Sequence, residues 1–218
     1  MALAIFDLDN TLLGGDSDYL WGEYLVENKL VNTVDYQSTN QHFYEQYVAG
    51  SMDIFEFSAF QFKPLADNSI VTLEQWREDY LIKKIEPIIL VQAKALIEKH
   101  RQQNDTLMII TATNSFITTP IANKLGIPNL IATEPEVIDG HFTGKVSGCP
   151  SYQEGKVTRL QDWLKDTQHS LDGSYFYSDS HNDLPLLELV EYPFAVDPDP
   201  ELKVIAQERR WPIISLRQ

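Results

Sequence analysis

The first residues of this chain run from an apolar segment directly into two aspartates, and this feature constrains the fold more than any other. Residues 3–8 read LAIFDL, and an apolar run without polar alternation is typical of a parallel strand covered on both faces. Side chains two positions apart on a strand point to the same side, so Asp7 and Asp9 would present two carboxylates together. Like charges in such a place require a compensating cation or ligand.

Further strands and helices alternate along the chain. Apolar strands are predicted at 105–113, 129–133 and 174–180, with a final strand in PFAVDP at 193–198, and helices are predicted between them. A hairpin is predicted around Asp139–Gly140, because Asp-Gly is a strong two-residue turn signal. Strands that alternate with helices indicate an α/β fold with a doubly wound parallel sheet.

The segment from Asp16 to about Ile85 interrupts this alternation. It shows several helical stretches and no convincing strand, so it is predicted to be a small helical insert after the first strand. The predicted division is a Rossmann-like core of residues 1–14 and 87–218 and an inserted cap of residues 15–86.

Composition excludes several classes of function. The chain has 17 Lys and Arg against 32 Asp and Glu, a formal net charge of −15, which would repel a nucleic-acid backbone. Cys149 is the single cysteine, so there is no intrachain disulfide and no clustered zinc site. The N-terminal sequence lacks a basic region and a long apolar run, and no segment approaches the ~18 apolar residues of a membrane span. We expect a cytoplasmic protein without a membrane partner; the sequence does not indicate its oligomeric state.

Polar residues follow three of the predicted strands, and a lysine opens a later helix. In doubly wound sheets, ligands bind beyond the carboxyl ends of the strands, so these side chains would meet at one edge. A set of carboxylates, one hydroxyl and one ammonium group fits a metal-bound phosphate. The residues concerned are Asp7 and Asp9, Thr111, Lys156, and Asp179 with Asp183.

The required chemistry matches these residue types. Magnesium prefers oxygen ligands and commonly takes one or two carboxylates with substrate phosphate. A carboxylate can also attack phosphorus and form an aspartyl-phosphate, provided that an adjacent group protonates the leaving oxygen and later activates water. With Asp7 and Asp9 side by side, one could attack while the other transfers protons.

The segments FDLDNT, ITATN, GK and SDSHND contain these residues and occur in that order. They resemble the four motifs of the haloacid dehalogenase (HAD) superfamily of phosphohydrolases, and the resemblance spans nearly the whole chain. The helical insert resembles the small cap of the phosphoserine phosphatase-like branch, and DSDYLWGEYL and ITATNSFITTPIA resemble its histidinol-phosphatase-like members. The resemblance implies a magnesium-dependent phosphomonoesterase that acts on a small phosphorylated metabolite.

It also implies roles for individual residues. Asp7 would be the nucleophile and Asp9 the general acid and base. Thr111, Ala112 and Lys156 would hold the phosphate.

The implied cofactor is Mg²⁺. The resemblance assigns it to Asp7, to the main-chain carbonyl of Asp9 and to Asp179. Asn182 and Asp183 would support this site.

Substrate choice is assigned to the cap. Asp16 falls where phosphoserine phosphatases carry a glutamate that meets the substrate amine, and Asp18 is a second nearby acid. The segment FEFSAFQF places Phe62 where that family has an arginine for the substrate carboxylate. An acidic, aromatic cap favours an amino-alcohol phosphate such as histidinol phosphate, with phosphoserine or another small phosphorylated metabolite as the alternative.

Other interpretations remain open at this stage. Asp16 would also serve as the cap of a helix that starts at Ser17, and Asp179 and Asp183 as caps of a helix near Asn182. A calcium loop is disfavoured, since Thr11 stands where the EF-hand pattern requires Asp or Asn. A receiver-like phosphoaspartate switch and an inactive HAD-like binding module are the alternatives of another class.

Overall fold

The computed structural model describes residues 2–217, and of Thr33 only the main chain. Six strands form one parallel sheet in the spatial order β3-β2-β1-β6-β7-β8, and β4 and β5 form a separate antiparallel hairpin. The strands are β1 (Leu3–Phe6), β2 (Thr106–Asn114), β3 (Asn129–Thr133), β4 (Pro135–Ile138), β5 (His141–Val146), β6 (Tyr175–Ser178), β7 (Tyr192–Val196) and β8 (Ile213–Ile214).

Helices lie between the strands and in the insert. The insert contains α1 (Ser17–Glu27), α2 (Thr33–Val48), α3 (Ile54–Ala66) and α4 (Ile70–Tyr80), followed by a π-helical turn at Leu81–Ile85 and a 3₁₀ turn at Glu86–Ile88. The remaining helices are α5 (Val91–Gln102), α6 (Ser115–Leu125), α7 (Glu154–Asp166), α8 (Leu184–Leu187) and α9 (Pro200–Arg209), with a 3₁₀ turn at His181–Asp183.

Strand β1 lies at the centre of the sheet and is covered on both faces. Ala4 and Phe6 belong to one hydrophobic cluster, and Leu3 and Ile5 belong to a second cluster on the opposite face. All four side chains are at most 1% exposed. Each large apolar side chain buried in this way contributes about 1.5–3 kcal/mol relative to an exposed one. The prediction of a doubly covered parallel strand is confirmed.

The order of strands reverses at β1, because β2 lies on one side of it and β6 on the other. The carboxyl ends of β1, β2 and β6 therefore open a crevice at the point where ligands bind in doubly wound sheets. The fold class predicted from the alternation of strands and helices is confirmed.

The insert is helical, as predicted, and the β4–β5 hairpin packs against its helix α3. Gly144 on β5 has a φ of +82°, and a Cβ at this position would lie 3.5 Å from the Cβ of Ala66. Glycine adopts this conformation readily, and because it has no side chain the hairpin can lie close to α3. The hairpin is thus in contact with the cap, although its sequence lies within the predicted core range; the domain bounds stay a prediction.

One expectation about the strands is wrong. The strand predicted at 193–198 is β7, but it is not the final one, because α9 and the two-residue strand β8 follow it. Asp199 begins α9 by accepting a hydrogen bond from the Leu202 amide at 2.7 Å. A two-residue strand such as β8 is too short to show the alternation of apolar and polar residues by which a strand is recognised in a sequence.

Along the described part of the chain, none of the helices combines the length and the apolar character that a membrane crossing demands.

Candidate active site at the carboxyl edge of the sheet

Asp7 follows β1 directly and is 3% exposed. Its main-chain amide donates to the carbonyl of Tyr177 on β6 at 2.9 Å, which continues the sheet hydrogen bonding and fixes the side chain in the crevice. Asp7 Oδ1 accepts from Lys156 Nζ at 2.8 Å. Burial raises the pKa of Asp7 to about 7, against the opposing effect of Lys156 and with reinforcement from Asp183 and Asp9.

Lys156 lies at the start of α7 and is 2% exposed. Besides Asp7, its ammonium group contacts Asp183 Oδ1 at 2.6 Å. The second oxygen of Asp183 accepts from Ser178 Oγ at 2.6 Å. Burial alone would lower the pKa of Lys156, but Asp183 and Asp7 raise it above the ordinary value. The lysine is therefore a fixed positive charge between two carboxylates.

Asp9 is held by two donors. Its Oδ1 accepts from the main-chain amide of Ser17 at 2.6 Å, and its Oδ2 accepts from Thr113 Oγ1 at 2.7 Å. Ser17 is the first residue of α1, and its carbonyl in turn accepts from the hydroxyl of Tyr80 at 2.6 Å. Burial, followed by the charge of Asp16, raises the pKa of Asp9 to about 6, despite these hydrogen bonds. A carboxyl group with such a pKa can exchange a proton near neutral pH.

Asp179 follows β6 and is paired with Thr11. The Thr11 hydroxyl donates to Asp179 Oδ1 at 3.0 Å and accepts from the Asp179 amide at 3.1 Å. Burial raises the pKa of Asp179 well above its usual range, and Asp7 and Asp183 add to this. The structure thus brings Asp7, Asp179 and Asp183 close enough to repel one another.

The end of β2 supplies the hydroxyl and amide groups. Thr111 is 1% exposed, and its Oγ1 accepts from the Thr113 amide at 3.2 Å. The pairing of β2 with β3 changes register between Ile110 and Asn114. Thr111, Ala112 and Thr113 all line the cleft that contains Asp7 and Asp9.

The cleft lies between the sheet edge and the cap and encloses about 480 Å³, including its open mouth. Asp16 and Asp18 line it beside the two core aspartates. Aromatic side chains of the cap form much of the remaining wall; they are Tyr19, Phe43, Tyr44, Tyr47 and Phe57.

The two cap acids have structural partners as well. Asp16 begins α1, where its Oδ1 accepts from the Tyr19 amide at 2.8 Å, so the capping interpretation is confirmed alongside its place in the cleft. Asp18 is 6% exposed and accepts from Asn114 Nδ2 at 3.2 Å. Burial raises the pKa of both Asp16 and Asp18, that of Asp18 strongly.

Phe62 is not brought to the cleft, contrary to the sequence expectation. It is 2% exposed and belongs to the main hydrophobic cluster. Gln61, one position earlier on α3, lines the cleft instead. Side chains at neighbouring helical positions point about 100° apart, so a placement that is wrong by one residue exchanges a core residue for one that faces the cleft.

Asn182 connects the core to the cap. Its Nδ2 donates to the carbonyl of Tyr47 at 3.0 Å, and its Oδ1 accepts from Tyr152 OH and Gln153 Nε2 at 3.1 and 3.0 Å. The end of α2 is thereby held over the sheet edge. Ser180 rather than Asp179 caps the following 3₁₀ turn, by accepting from the Asn182 amide at 3.2 Å.

The donor set at this edge fits Mg²⁺. Four buried carboxylates, on Asp7, Asp9, Asp18 and Asp183, stand against one buried lysine in the described chain, so negative charge is in excess. Desolvation raises the pKa of both Asp7 and Asp179, as expected where a cation is needed to stabilise the ionised form. Within residues 2–217 no three acidic, histidine or cysteine side chains converge as a complete metal site. Two carboxylates and a main-chain carbonyl, with water and phosphate oxygens, are nevertheless sufficient ligands for Mg²⁺.

Several residues of the site escaped sequence analysis. Thr11 and Thr113 belong to the quoted segments FDLDNT and ITATN, so their hydroxyls could have been noticed. Ser17 and Gln61 gave no comparable signal, because their position depends on how the cap packs over the core.

Comparison with known proteins agrees with this geometry. The model of the family described as haloacid dehalogenase-like hydrolase matches residues 4–188. A histidinol-phosphatase of Neisseria meningitidis serogroup C (strain 8013) is 42% identical over 219 residues, which cover 99% of each chain.

Two solved structures share the fold. The crystal structure of a protein with unknown function from Bordetella pertussis Tohama I has a TM-score of 0.93 and 42% identity, over 99% of this chain and 98% of that one. A phosphoserine phosphatase, solved as a phospho-aspartyl intermediate analogue, has a TM-score of 0.72 and 17% identity, over 100% of this chain and 94% of that one. At 17% identity the likeness shows the fold alone.

A doubly wound sheet with acids gathered at its switch point places the protein among α/β proteins that bind a ligand at this edge. The chain belongs to the haloacid dehalogenase-like hydrolase family, and within that family it is a phosphatase. The family resemblance inferred from FDLDNT and the three later motifs is confirmed.

Proposed function

We propose that this phosphatase is a Mg²⁺-dependent phosphomonoesterase that works through an aspartyl-phosphate on Asp7 and acts on a small amine-bearing ester such as histidinol phosphate. The observation that carries the mechanism is the pairing of two aspartates with different partners. Asp7 Oδ1 lies 2.8 Å from the Lys156 ammonium, whereas Asp9 is bound by the Ser17 amide and the Thr113 hydroxyl.

This difference supports the two proposed roles. Lys156 favours the ionised form of Asp7, as a nucleophile requires. The pKa values do not separate the roles, since burial raises that of Asp7 to about 7 and that of Asp9 to about 6. The contacts do differ, because Asp7 touches the fixed cation Lys156 and Asp9 has no lysine or arginine contact in the described structure. Asp9 is therefore the group that can protonate a leaving oxygen.

In the first step an ionised oxygen of Asp7 attacks the phosphorus, and the bond from phosphorus to the ester oxygen breaks. Asp9 gives its proton to that oxygen, so the alcohol leaves neutral and Asp9 becomes a carboxylate. In the second step Asp9 takes a proton from water, whose oxygen attacks the phosphorus and releases inorganic phosphate from Asp7. Lys156 and Thr111 would stabilise the charge on the phosphoryl oxygens.

Asp7, Asp179 and the main-chain carbonyl of Asp9 would hold Mg²⁺. When bound, the ion supplies positive charge that neutralises the phosphate and orients it toward the nucleophile. Thr11 fixes the carboxylate of Asp179 through two hydrogen bonds, at 3.0 and 3.1 Å.

The proposed substrate class follows from the charge of the cleft. Asp16 and Asp18 contribute carboxylates on the cap side, and no lysine or arginine of the described cap lines the cleft. A substrate amine would be attracted there, whereas the carboxylate of phosphoserine would meet acids. The 42% identity to a histidinol-phosphatase supports the same choice.

The test is a panel of phosphomonoesters assayed with purified protein in the presence of Mg²⁺. The panel contains histidinol phosphate, O-phosphoethanolamine, phosphoserine and p-nitrophenyl phosphate. We expect the highest kcat/KM for histidinol phosphate. A higher kcat/KM for phosphoserine would contradict the substrate assignment, and absence of phosphate release from every ester would contradict the proposed activity.

A further inference from the structure

Three residues of the cap form a directional chain of hydrogen bonds behind the cleft. Asn40 Nδ2 donates to the main-chain carbonyl of Tyr19 at 3.1 Å, and Gln61 Nε2 donates to Asn40 Oδ1 at 3.3 Å. Because a carbonyl only accepts, Asn40 must turn its NH₂ group toward Tyr19 and its oxygen toward Gln61. Gln61 must then use its own NH₂ group on Asn40, which leaves Gln61 Oε1 as the free end of the chain.

That free end is buried. Gln61 is 1% exposed, and its Oε1 has no hydrogen-bond partner in the described structure. Gln61 also lines the cleft that contains Asp7. A buried acceptor without a donor costs free energy, so a ligand donor that reached this oxygen from the cleft would relieve that cost.

Gly22 explains how the chain is held in place. It lies inside α1, where glycine is less favourable than alanine. A Cβ at this position would lie 2.5 Å from Asn40 Nδ2 and 2.6 Å from Asn40 Cγ. Glycine therefore lets Asn40 approach the helix backbone closely enough to reach the Tyr19 carbonyl. Asn40 is a positioning residue that orients Gln61.

We propose that Gln61 Oε1 accepts a hydrogen bond from an N–H group of the substrate, and that Gln61 is a specificity-determining residue for phosphomonoesters whose alcohol carries an amine or imidazole. The inference rests on the proposed function, which it deepens. Asp16 and Asp18 line the same cleft, so its cap side presents acceptors to the leaving group. A substrate without an N–H donor leaves Gln61 Oε1 unpaired, and sites built in this way discriminate strongly.

The test compares kcat/KM for two amine-bearing esters, histidinol phosphate and O-phosphoethanolamine, with kcat/KM for p-nitrophenyl phosphate, which has no N–H group. In Gln61→Leu the shape of the side chain is nearly kept and both polar atoms are lost. We expect the ratio of amine-bearing to p-nitrophenyl ester to fall by about tenfold to a hundredfold, as for the loss of a hydrogen bond to a charged group.

Gly22→Ala tests the same chain without touching Gln61. The added methyl group must displace the end of the Asn40 side chain, and we expect the ratio to fall by about three- to tenfold, the value of one neutral hydrogen bond. Gln37→Leu is the matched control, because Gln37 lies exposed on α2 and outside the main cleft. This control is expected to keep the parent ratio.

The outcomes separate this inference from the proposed function. A selective fall in the ratio for either amine-bearing ester in Gln61→Leu supports the role of Gln61, even if histidinol phosphate is not the better of the two. Equal losses on all three esters would show a structural role and overturn the inference. An unchanged ratio in Gln61→Leu would also overturn it, while a parent protein that prefers histidinol phosphate would still support the proposed function.

Discussion

Replacing Lys156 by methionine should destabilise the fold strongly, and the loss should depend on pH. The Lys156 ammonium lies 2.8 Å from Asp7 Oδ1 and 2.6 Å from Asp183 Oδ1, and all three side chains are nearly inaccessible to solvent. Removal of one partner from a buried ion pair costs about 3–5 kcal/mol, because the remaining charge is left without compensation. For a chain of this length, 1 kcal/mol corresponds to a Tm shift of about 2–4 °C, so we expect a fall of about 6–20 °C.

The pH dependence follows from the raised pKa of Asp7. A carboxyl group whose pKa is about 7 in the folded state, against an ordinary value of 3.8, binds more protons when folded than when unfolded across that window. The contribution of Asp7 to the free energy of unfolding therefore becomes less favourable to the folded state as the pH rises from about 4 to 7. Without Lys156 the folded-state pKa of Asp7 rises further, so the loss in Lys156→Met should be larger at pH 8 than at pH 5.

Thermal unfolding followed by circular dichroism in metal-free buffer at the two pH values measures this directly. The double variant Lys156→Met/Asp183→Asn is the matched control, because it removes one of the two uncompensated charges. We expect it to recover part of the Tm lost at pH 8. An unchanged Tm in Lys156→Met at pH 8, or a larger loss at pH 5 than at pH 8, would refute the assignment of Lys156 as a buried counter-ion.

Three further predictions concern activity. Asp9→Asn should lower kcat for histidinol phosphate by about a hundredfold to ten-thousandfold. The loss should be smaller for p-nitrophenyl phosphate, because its leaving group hardly needs a proton. Equal losses on both esters would contradict the acid role of Asp9. In the parent protein, kcat for histidinol phosphate should rise and then fall with pH, because Asp7 must be ionised and Asp9 protonated, and burial raises their pKa values to about 7 and about 6; a kcat that stays constant from about pH 5 to about pH 9 would argue against it. Asp16→Asn keeps a side chain that can cap the Tyr19 amide but loses the negative charge. We expect kcat/KM for histidinol phosphate, relative to that for p-nitrophenyl phosphate, to fall by about ten- to a hundredfold, with Tm nearly unchanged. An unchanged ratio would leave Asp16 as a helix cap only.

The central part of the site could be predicted from sequence because local patterns carry it. Asp7 and Asp9 lie at the end of an apolar run, and a central parallel strand places its final residues in the crevice at the switch point. Lys156 is 149 residues away from Asp7, yet the order of strands and helices was sufficient to bring the two to one edge. The interaction of Lys156 with Asp183 follows from the same topology.

The cap side of the cleft could not be predicted with the same precision. Gln61 and Phe62 are adjacent in sequence, and which of them faces the cleft depends on the rotation of α3 against the β4–β5 hairpin. No local pattern specifies that rotation, since both faces of α3 carry aromatic residues. The bond between Asp9 and Thr113 likewise spans 104 residues and depends on the local register change in β2.

The role of Asp7 as nucleophile is tested most directly by identifying the residue that carries phosphate during turnover. The protein is mixed with Mg²⁺ and ³²P-labelled substrate, quenched in acid within milliseconds, and digested for peptide mapping. We expect acid-stable, base-labile label on the N-terminal peptide at Asp7, and none in Asp7→Asn, whose rate should fall at least about a thousandfold. Label on another residue, or full turnover by Asp7→Asn, would contradict the central claim that Asp7 is the nucleophile.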